Sequence, residues 1–239
     1  MSSRNRHHYI PRLIVDRFVD GKGMLQVFDR QRPQRGVQPQ SPRDTFVEKH
    51  LYSTKLKDGR RDRSLEDWFA SLEGLVAPIV NKIVKNARRN LPAGLSEEER
   101  ELWDFYLAMQ WRRVPEFHSL IIDDAKFERD LAESIAEFAA TVRPLTAEER
   151  RWAEDPTERP FFRHNVTVSS LRSRPDGLVF HALQRRGMTI ARSERPDKSF
   201  VLTSRPILRA GPQGGTLDHP EIEAWFVLAP DVAVSPWGT

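Results

Sequence analysis

At 239 residues the chain is long enough to bury a substantial core, and 13 Phe and 6 Trp among its 38% hydrophobic residues exclude a disordered protein. The absence of Cys excludes disulfides and thiolate metal sites. No apolar run approaches the roughly 20 residues of a membrane-spanning helix, and the N-terminus lacks an apolar signal, so we expect a cytoplasmic protein with no membrane partner.

The formal net charge is only +4, but 30 Arg accompany 8 Lys. Arginine is preferred for bidentate contacts to phosphate, so this excess fits a nucleic-acid partner. The codon usage of a GC-rich genome would produce the same excess. The arginines therefore permit a phosphate-bearing ligand without requiring one.

The N-terminal segment HHYIPRLIVDRF, residues 7–18, combines two histidines, a tyrosine and a proline. Pro11 suits the first position of a short helix, where its missing N–H costs nothing. Residues 24–30 alternate in polarity and predict a strand. A polar, exposed loop is expected over 31–42, a short strand or turn over 46–53, and a charged loop over 55–63.

Helical spacing dominates the middle of the chain. Leu65, Phe69, Leu72, Val76, Ile79 and Ile83 predict a helix from Ser64 to about Arg89 that Pro78 should bend. Two capping boxes, Ser96 with Glu99 and Thr146 with Glu149, predict further helix starts. The helix that begins at Ser96 should run to about Val114. Another helix is expected over 123–142.

After residue 160 the sequence favours strands. Residues 164–170, 188–194, 200–208, 224–229 and 232–237 alternate or are rich in β-branched and aromatic residues, while 176–186 has helical character. We therefore predict a single α+β domain over 1–239. Its helical bundle would span about 64–155. A small, mainly antiparallel sheet would combine 160–239 with the early strand at 24–30, so that the chain ends meet.

A set of motifs in this order resembles a bacterial family, domain of unknown function 4238. The motifs are HHYIP at 7–11, Asp29-Arg30, Gln110-Trp111-Arg112-Arg113-Val114-Pro115, Thr203-Ser204-Arg205-Pro206 and the final FVLAPDVAVSPWG. The resemblance covers nearly the whole chain but implies no settled function. This chain has Arg12 where the family usually has Gln, and Ser204-Arg205-Pro206 replaces the usual Ser-Asp-Asn-Pro. An activity that needs that Asp would be lost or carried elsewhere.

The histidines are the main catalytic candidates, because imidazole titrates near neutral pH and can also bind metals. Adjacent residues of an extended segment point to opposite sides, so His7 and His8 should not act on the same atom. Tyr9 should share the side of His7. The alternative is that one imidazole has a purely structural hydrogen bond.

Two polar side chains fall on the buried face of the second long helix. Gln110 must find hydrogen bonds there or cost about 1–3 kcal/mol, and Arg113 needs an anion. They could form a phosphate clamp, or a structural network in which Arg113 pairs with Glu73 or Asp29. From these arguments and the family motifs we predict substrate-binding residues, namely Arg12, Asp29, Arg30, Gln110, Arg113, Ser204 and Arg205.

Glu66 and Glu73 lie seven residues apart and share one helical flank. With His7 or His8 they could bind a divalent metal ion, or Glu73 could act as a general base. Solvated helix edges carry such pairs routinely, and no known metal signature is present. The cofactor therefore stays open.

Two functions follow. The first is a nucleic-acid hydrolase, resembling nucleases, in a bacterial defence or toxin setting, with His7, His8, Tyr9 and Glu73 as catalytic candidates. The second is a non-catalytic module that binds nucleic acid or protein, in which HHYIP only anchors the N-terminus. The first requires the histidines, Glu73 and Arg113 to converge on one cleft.

Overall fold

The computed structural model describes residues 6–56, 59–115, 124–172, 178–212, 219 and 221–237. Their helices and antiparallel sheets confirm the α+β prediction. The helices are α1 (Arg12–Val15), α2 (Ser64–Ala87), α3 (Glu97–Arg113), α4 (Asp124–Thr141), α5 (Ala147–Glu154), α6 (Arg159–Ser170) and α7 (Leu178–Arg185). The strands are β1 (Arg6–His8), β2 (Leu25–Phe28), β3 (Val37–Gln40), β4 (Val47–Lys49), β5 (Thr54–Lys55), β6 (Arg61–Asp62), β7 (Gly187–Arg192), β8 (Ile207–Ala210), β9 (Glu223–Ala229) and β10 (Val232–Trp237).

Helices α2 and α3 form the centre of the fold. All six apolar residues that predicted α2 are buried, and Pro78 lies inside the helix. On α3, Trp103 and Tyr106 pack with Phe226 of β9, which joins the helices to the C-terminal sheet. Each large apolar side chain buried in this way contributes about 1.5–3 kcal/mol, so this core fixes the relative positions of α2, α3 and the sheet.

Both predicted capping boxes are present. Ser96 and Thr146 accept the backbone N–H three residues ahead, and Glu99 and Glu149 return the interaction. Helix α2 begins at Ser64, as predicted, and Asp62 accepts the backbone N–H of Ser64 at 2.9 Å. Pro11 lies just before α1 rather than within it, since its ψ of 138° is extended.

The expected position of the early strand was wrong. The C-terminal sheet has the order β7-β10-β9-β8, and β2 pairs instead with β3 in a separate hairpin. Strand β3 was predicted as loop because all four of its residues are exposed, which leaves no alternating apolar pattern to detect. The predicted charged loop 55–63 also contains short pairing between β5 and β6.

The prediction of a strand over 164–170 was wrong as well, because these residues belong to α6. Its buried positions, Thr167, Val168 and Leu171, have helical spacing. Only the end of 200–208 is strand, since residues 203–205 form a turn in which the Thr203 hydroxyl accepts the Arg205 N–H at 3.2 Å. Across the described ranges, no helix has the length and apolarity that crossing a membrane requires.

Candidate functional site

The HHYIP segment is held as a strand against β4. In β1, His7 pairs with Glu48 and His8 with Val47. The backbone N–H of Tyr9 donates to Phe46 O at 3.0 Å, and the Tyr9 ring meets the Phe46 ring edge-on. His7 is 1% exposed and His8 is half-buried, so the two imidazoles have different surroundings, as the extended geometry predicted.

Both ring nitrogens of His7 are engaged within the fold. Nδ1 accepts the backbone N–H of Tyr52 at 3.0 Å, and Nε2 lies 3.4 Å from the Ser53 hydroxyl. Because Nδ1 is the acceptor, the proton of the neutral ring belongs on Nε2. Burial lowers the pKa of His7 to about 4, and the positive charges of Arg63 and His50 contribute in the same direction. His7 is therefore neutral at pH 7 and has no free base position.

Arg113 is only 2% exposed and donates a hydrogen bond from each of its three guanidinium nitrogens. Its Nε donates to the Tyr52 hydroxyl at 3.1 Å, its Nη2 to His8 O at 2.7 Å, and its Nη1 to the Glu73 carboxylate. The guanidinium carbon lies 4.3 Å from the centre of the Phe69 ring. Burial alone would lower its pKa, but the charge of Glu73 opposes burial and the pKa is raised overall.

Tyr52 joins these two residues. Its ring stacks on His7 with the centroids 5.7 Å apart, and its hydroxyl donates to Arg113 O at 2.9 Å. We call His7, Tyr52, Glu73 and Arg113 the anchor cluster. It ties β1 to α2 and α3 by hydrogen bonds that span up to 105 positions in the sequence, from Arg113 to His8. The predicted convergence of a histidine, Glu73 and Arg113 occurs, as a buried network in which Arg113 pairs with Glu73.

Glu66 lies at the rim of the anchor cluster. Its Oε2 is 3.7 Å from His7 Nδ1 and is buried without a hydrogen-bond partner among the described residues. Burial raises the pKa of its carboxyl group. The side chains of Glu66 and Glu73 are 26% and 20% exposed, so both reach the surface along one flank of α2. In the described part of the chain, no three His, Asp or Glu side chains come together as a metal site.

Gln110 is fully buried, but neither its amide oxygen nor its nitrogen has a hydrogen-bond partner within the described ranges. The hydroxyl of Tyr106, one turn earlier on α3, is buried in the same condition. Gln110 was predicted to face a polar network. The hydrogen bonds of that network involve Arg113, and none of them includes the Gln110 amide. Each unpaired group costs about 1–3 kcal/mol.

The remaining predicted residues lie outside the anchor cluster. Arg12 forms an ion pair at 2.7 Å with Asp16, which follows α1. Burial lowers the pKa of His8, and the charge of Arg12 lowers it further. Asp29 and Arg30 belong to the connection between β2 and β3, where Asp29 accepts the Gln31 N–H at 2.9 Å. Exposed Ser204 and Arg205 lie in the turn before β8.

A second group of residues was missed by sequence reasoning. Burial lowers the pKa of His50, and the positive charges of Arg61 and Lys49 lower it further. Arg63 and Arg61 act on His7 in the same way. We call Lys49, His50, Arg61 and Arg63 the basic cluster, and the charges of His50, Arg61 and Arg63 lower the pKa of the buried His7. The basic residues of 55–63 were visible in the sequence, but their approach to residues 49–50 depends on tertiary structure.

A groove lies elsewhere, between α4 and α5. It has a volume of about 240 Å³ and includes Leu131, Ile135, Arg150 and Ala153. It shares no residue with the anchor cluster or the basic cluster.

Fold and site together define an α+β protein whose N-terminal histidine strand is locked onto a pair of central helices. A family model described as "Protein of unknown function (DUF4238)" matches residues 6–232, and the chain belongs to this family. No curated protein and no solved structure gives a significant match. The resemblance found in the sequence motifs is thereby confirmed.

Proposed function

We propose that this protein is a nucleic-acid-binding module in which HHYIP serves as a structural anchor. The observation that carries the proposal is the basic cluster, in which Lys49 and Arg61 are exposed. Burial lowers the pKa values of His50 and His7, and the neighbouring positive charges lower them further. Cations held near one another repel, and a polyanion relieves this repulsion.

The side chains of the basic cluster are available to a ligand. Lys49 and Arg61 are exposed, and His50 and Arg63 are partly exposed. Asp62, the acidic residue between Arg61 and Arg63, is engaged with Arg172 at 2.5 Å and with the Ser64 N–H. Phosphate is the anion that this arrangement suits best, because guanidinium groups bind phosphate oxygens in pairs.

Binding takes precedence over hydrolysis because the leading catalytic candidates are already occupied. His7 is neutral with both nitrogens engaged, and Arg113 donates to three partners inside the fold. A phosphate holder must keep free donors, and a general base must keep a free lone pair near the operating pH. Every guanidinium nitrogen of Arg113 and both ring nitrogens of His7 already have partners, so the contribution of the anchor cluster is to hold the fold in place.

One observation supports the hydrolase as a second candidate. Glu66 has a buried carboxylate oxygen without a partner among the described residues and a pKa that burial raises, and it lies 3.7 Å from His7. A carboxyl group with a raised pKa beside bound phosphate is suited to general acid–base catalysis. If the protein is a hydrolase, Glu66 therefore serves as the general acid or base, the role that was predicted for Glu73.

The test measures the affinity of a fluorescent oligonucleotide for the wild type and for two double variants. Lys49→Ala with Arg61→Ala removes two cations of the basic cluster. Lys85→Ala with Arg89→Ala removes the same charge near the far end of α2, about 33 Å away along the helix. We expect at least a tenfold loss for the first variant and less than twofold for the control. Equal losses would contradict the proposal.

The same oligonucleotides, incubated with Mg²⁺ or Mn²⁺ and without metal, decide between the two candidates. Cleavage by the wild type that Glu66→Gln abolishes, with binding retained, would establish the hydrolase. Stable binding without cleavage would support the module. His8→Ala is the companion variant, because His8 is the half-buried member of the histidine pair and its Nε2 contacts Pro42 O at 3.1 Å.

A further inference from the structure

The hairpin of β2 and β3 carries an apolar surface on its outer face. Phe28 pairs with Val37 across the hairpin, and their side chains are 53% and 57% exposed. Pro39, two residues along β3, is exposed on the same face. On the opposite face Leu25 is buried in the main core. One face therefore attaches the hairpin to the protein while the other presents an aromatic ring to solvent.

The connection at the hairpin tip is rich in arginine. Residues 26–40 contain three Arg and five Gln but only one acidic residue, Asp29. Asp29 accepts the Gln31 N–H and lies 3.9 Å from Arg32. In the part of the chain that the structure describes, Arg30 and Arg35 are exposed and form no ion pair. Two arginines that form no ion pair in the described part of the chain therefore lie two residues from the exposed pair, Arg30 after Phe28 and Arg35 before Val37.

The base of the hairpin is held in a fixed geometry. The Asp20 carboxylate accepts the backbone N–H groups of Lys22 and Met24 and the amide of Gln26, at 2.8–3.0 Å. An isolated two-stranded hairpin is marginally stable in water, so these bonds and the burial of Leu25 keep it formed. Because the hairpin is already formed, binding through the exposed Phe28 ring costs little conformational entropy.

We propose that this hairpin binds single-stranded nucleic acid, with a base stacked on Phe28 and phosphates contacted by Arg30, Arg32 and Arg35. The inference rests on the proposed function for the class of ligand, and it adds a separate surface and a preference for unpaired bases. Stacking on an exposed aromatic ring needs a base that is free of its duplex, and flanking arginines follow the backbone. An exposed apolar face whose connecting segment carries three arginines complements a polyanion better than an apolar protein surface.

The test compares binding of a 12-nucleotide single strand and of its duplex by the wild type, Phe28→Ala and Phe28→Trp. Leu75→Ala is the matched control, because Leu75 is 64% exposed on α2. Phe28→Ala should weaken single-strand binding by about 5- to 100-fold, the range expected for loss of one stacked base. Phe28→Trp should keep it within about twofold. Duplex binding and the thermal unfolding midpoint should stay unchanged.

The outcomes separate this inference from the proposed function. If the wild type binds no oligonucleotide at 50 mM salt, both the proposed function and the hairpin inference are refuted. If Lys49→Ala with Arg61→Ala weakens binding but Phe28→Ala does not, the proposed function stands and the hairpin inference is refuted. An equal loss for strand and duplex in Phe28→Ala also refutes it. If Phe28→Ala changes the sedimentation of the free protein, the hairpin contacts a second copy and the inference is again wrong.

Discussion

Replacing Glu73 by Gln tests whether the anchor cluster holds the fold together. The change keeps the size of the side chain and one acceptor oxygen but removes the charge that faces Arg113. Arg113 is 2% exposed and its pKa is raised, so it stays charged. Removing one partner of a buried ion pair costs about 3–5 kcal/mol. Because Glu73 itself is 20% exposed, we expect the lower end, about 3 kcal/mol.

Urea unfolding at pH 7, followed by circular dichroism, measures this loss. For a slope of about 3 kcal/mol per molar urea, the midpoint should fall by about 1 M with little change in slope. Asp197→Asn is the control, because its ion pair with Arg195 is solvated on both sides and is worth under about 1 kcal/mol. A loss below about 1 kcal/mol for Glu73→Gln, equal to the control, would refute the anchoring role.

Other variants test the pKa shifts and the unpaired amide. The lowered pKa of His7 (about 4, against 6.5) means that the unfolded chain binds more protons between these values, so this group adds stability as pH rises and loses it as pH falls. Asp104, whose pKa burial raises to about 6, acts in the opposite sense. From pH 4 to 6.5 the free energy of unfolding of the wild type relative to His7→Gln should therefore grow by about 3 kcal/mol, whereas that relative to Asp104→Asn should fall by a similar amount. Urea titrations of the wild type and both variants at several pH values measure these differences. A difference that stays the same at every pH would contradict the pKa shift of the residue concerned. Gln110→Leu should be neutral or stabilising by about 1 kcal/mol at the thermal midpoint, because it removes two unpaired groups, and a loss above about 1 kcal/mol would show that the amide is bonded.

Much of the helical architecture follows from local rules. The capping boxes at Ser96 and Thr146 were predicted because a helix start needs partners for its free N–H groups within three residues. The face of α2 was predicted because its apolar residues repeat at helical spacing. Strand β3 was missed because nothing on it is buried, and α6 was mistaken for a strand because five alternating residues fit either period.

The candidate site was predictable only in part. The opposite orientation of His7 and His8 follows from extended geometry, and Arg113 with Glu73 was one of two pairings that buried charge allowed. Tyr52 was unforeseen as the link between them, since its contacts with His7 and Arg113 span 45 and 61 positions. Contacts over such sequence distances depend on the whole fold, so the residues around Tyr52 in the sequence do not predict them.

The salt dependence of oligonucleotide binding distinguishes a ligand that contacts the exposed basic cluster from one that contacts the largely buried anchor cluster. For a single strand each neutralised phosphate adds about 0.7 to the slope of log K against log salt. We predict that Lys49→Ala with Arg61→Ala makes this slope shallower by about 1.4, while Glu73→Gln, measured at a temperature where it is folded, leaves the slope unchanged. An unchanged slope in the first variant, or a shallower one in the second, would contradict the account.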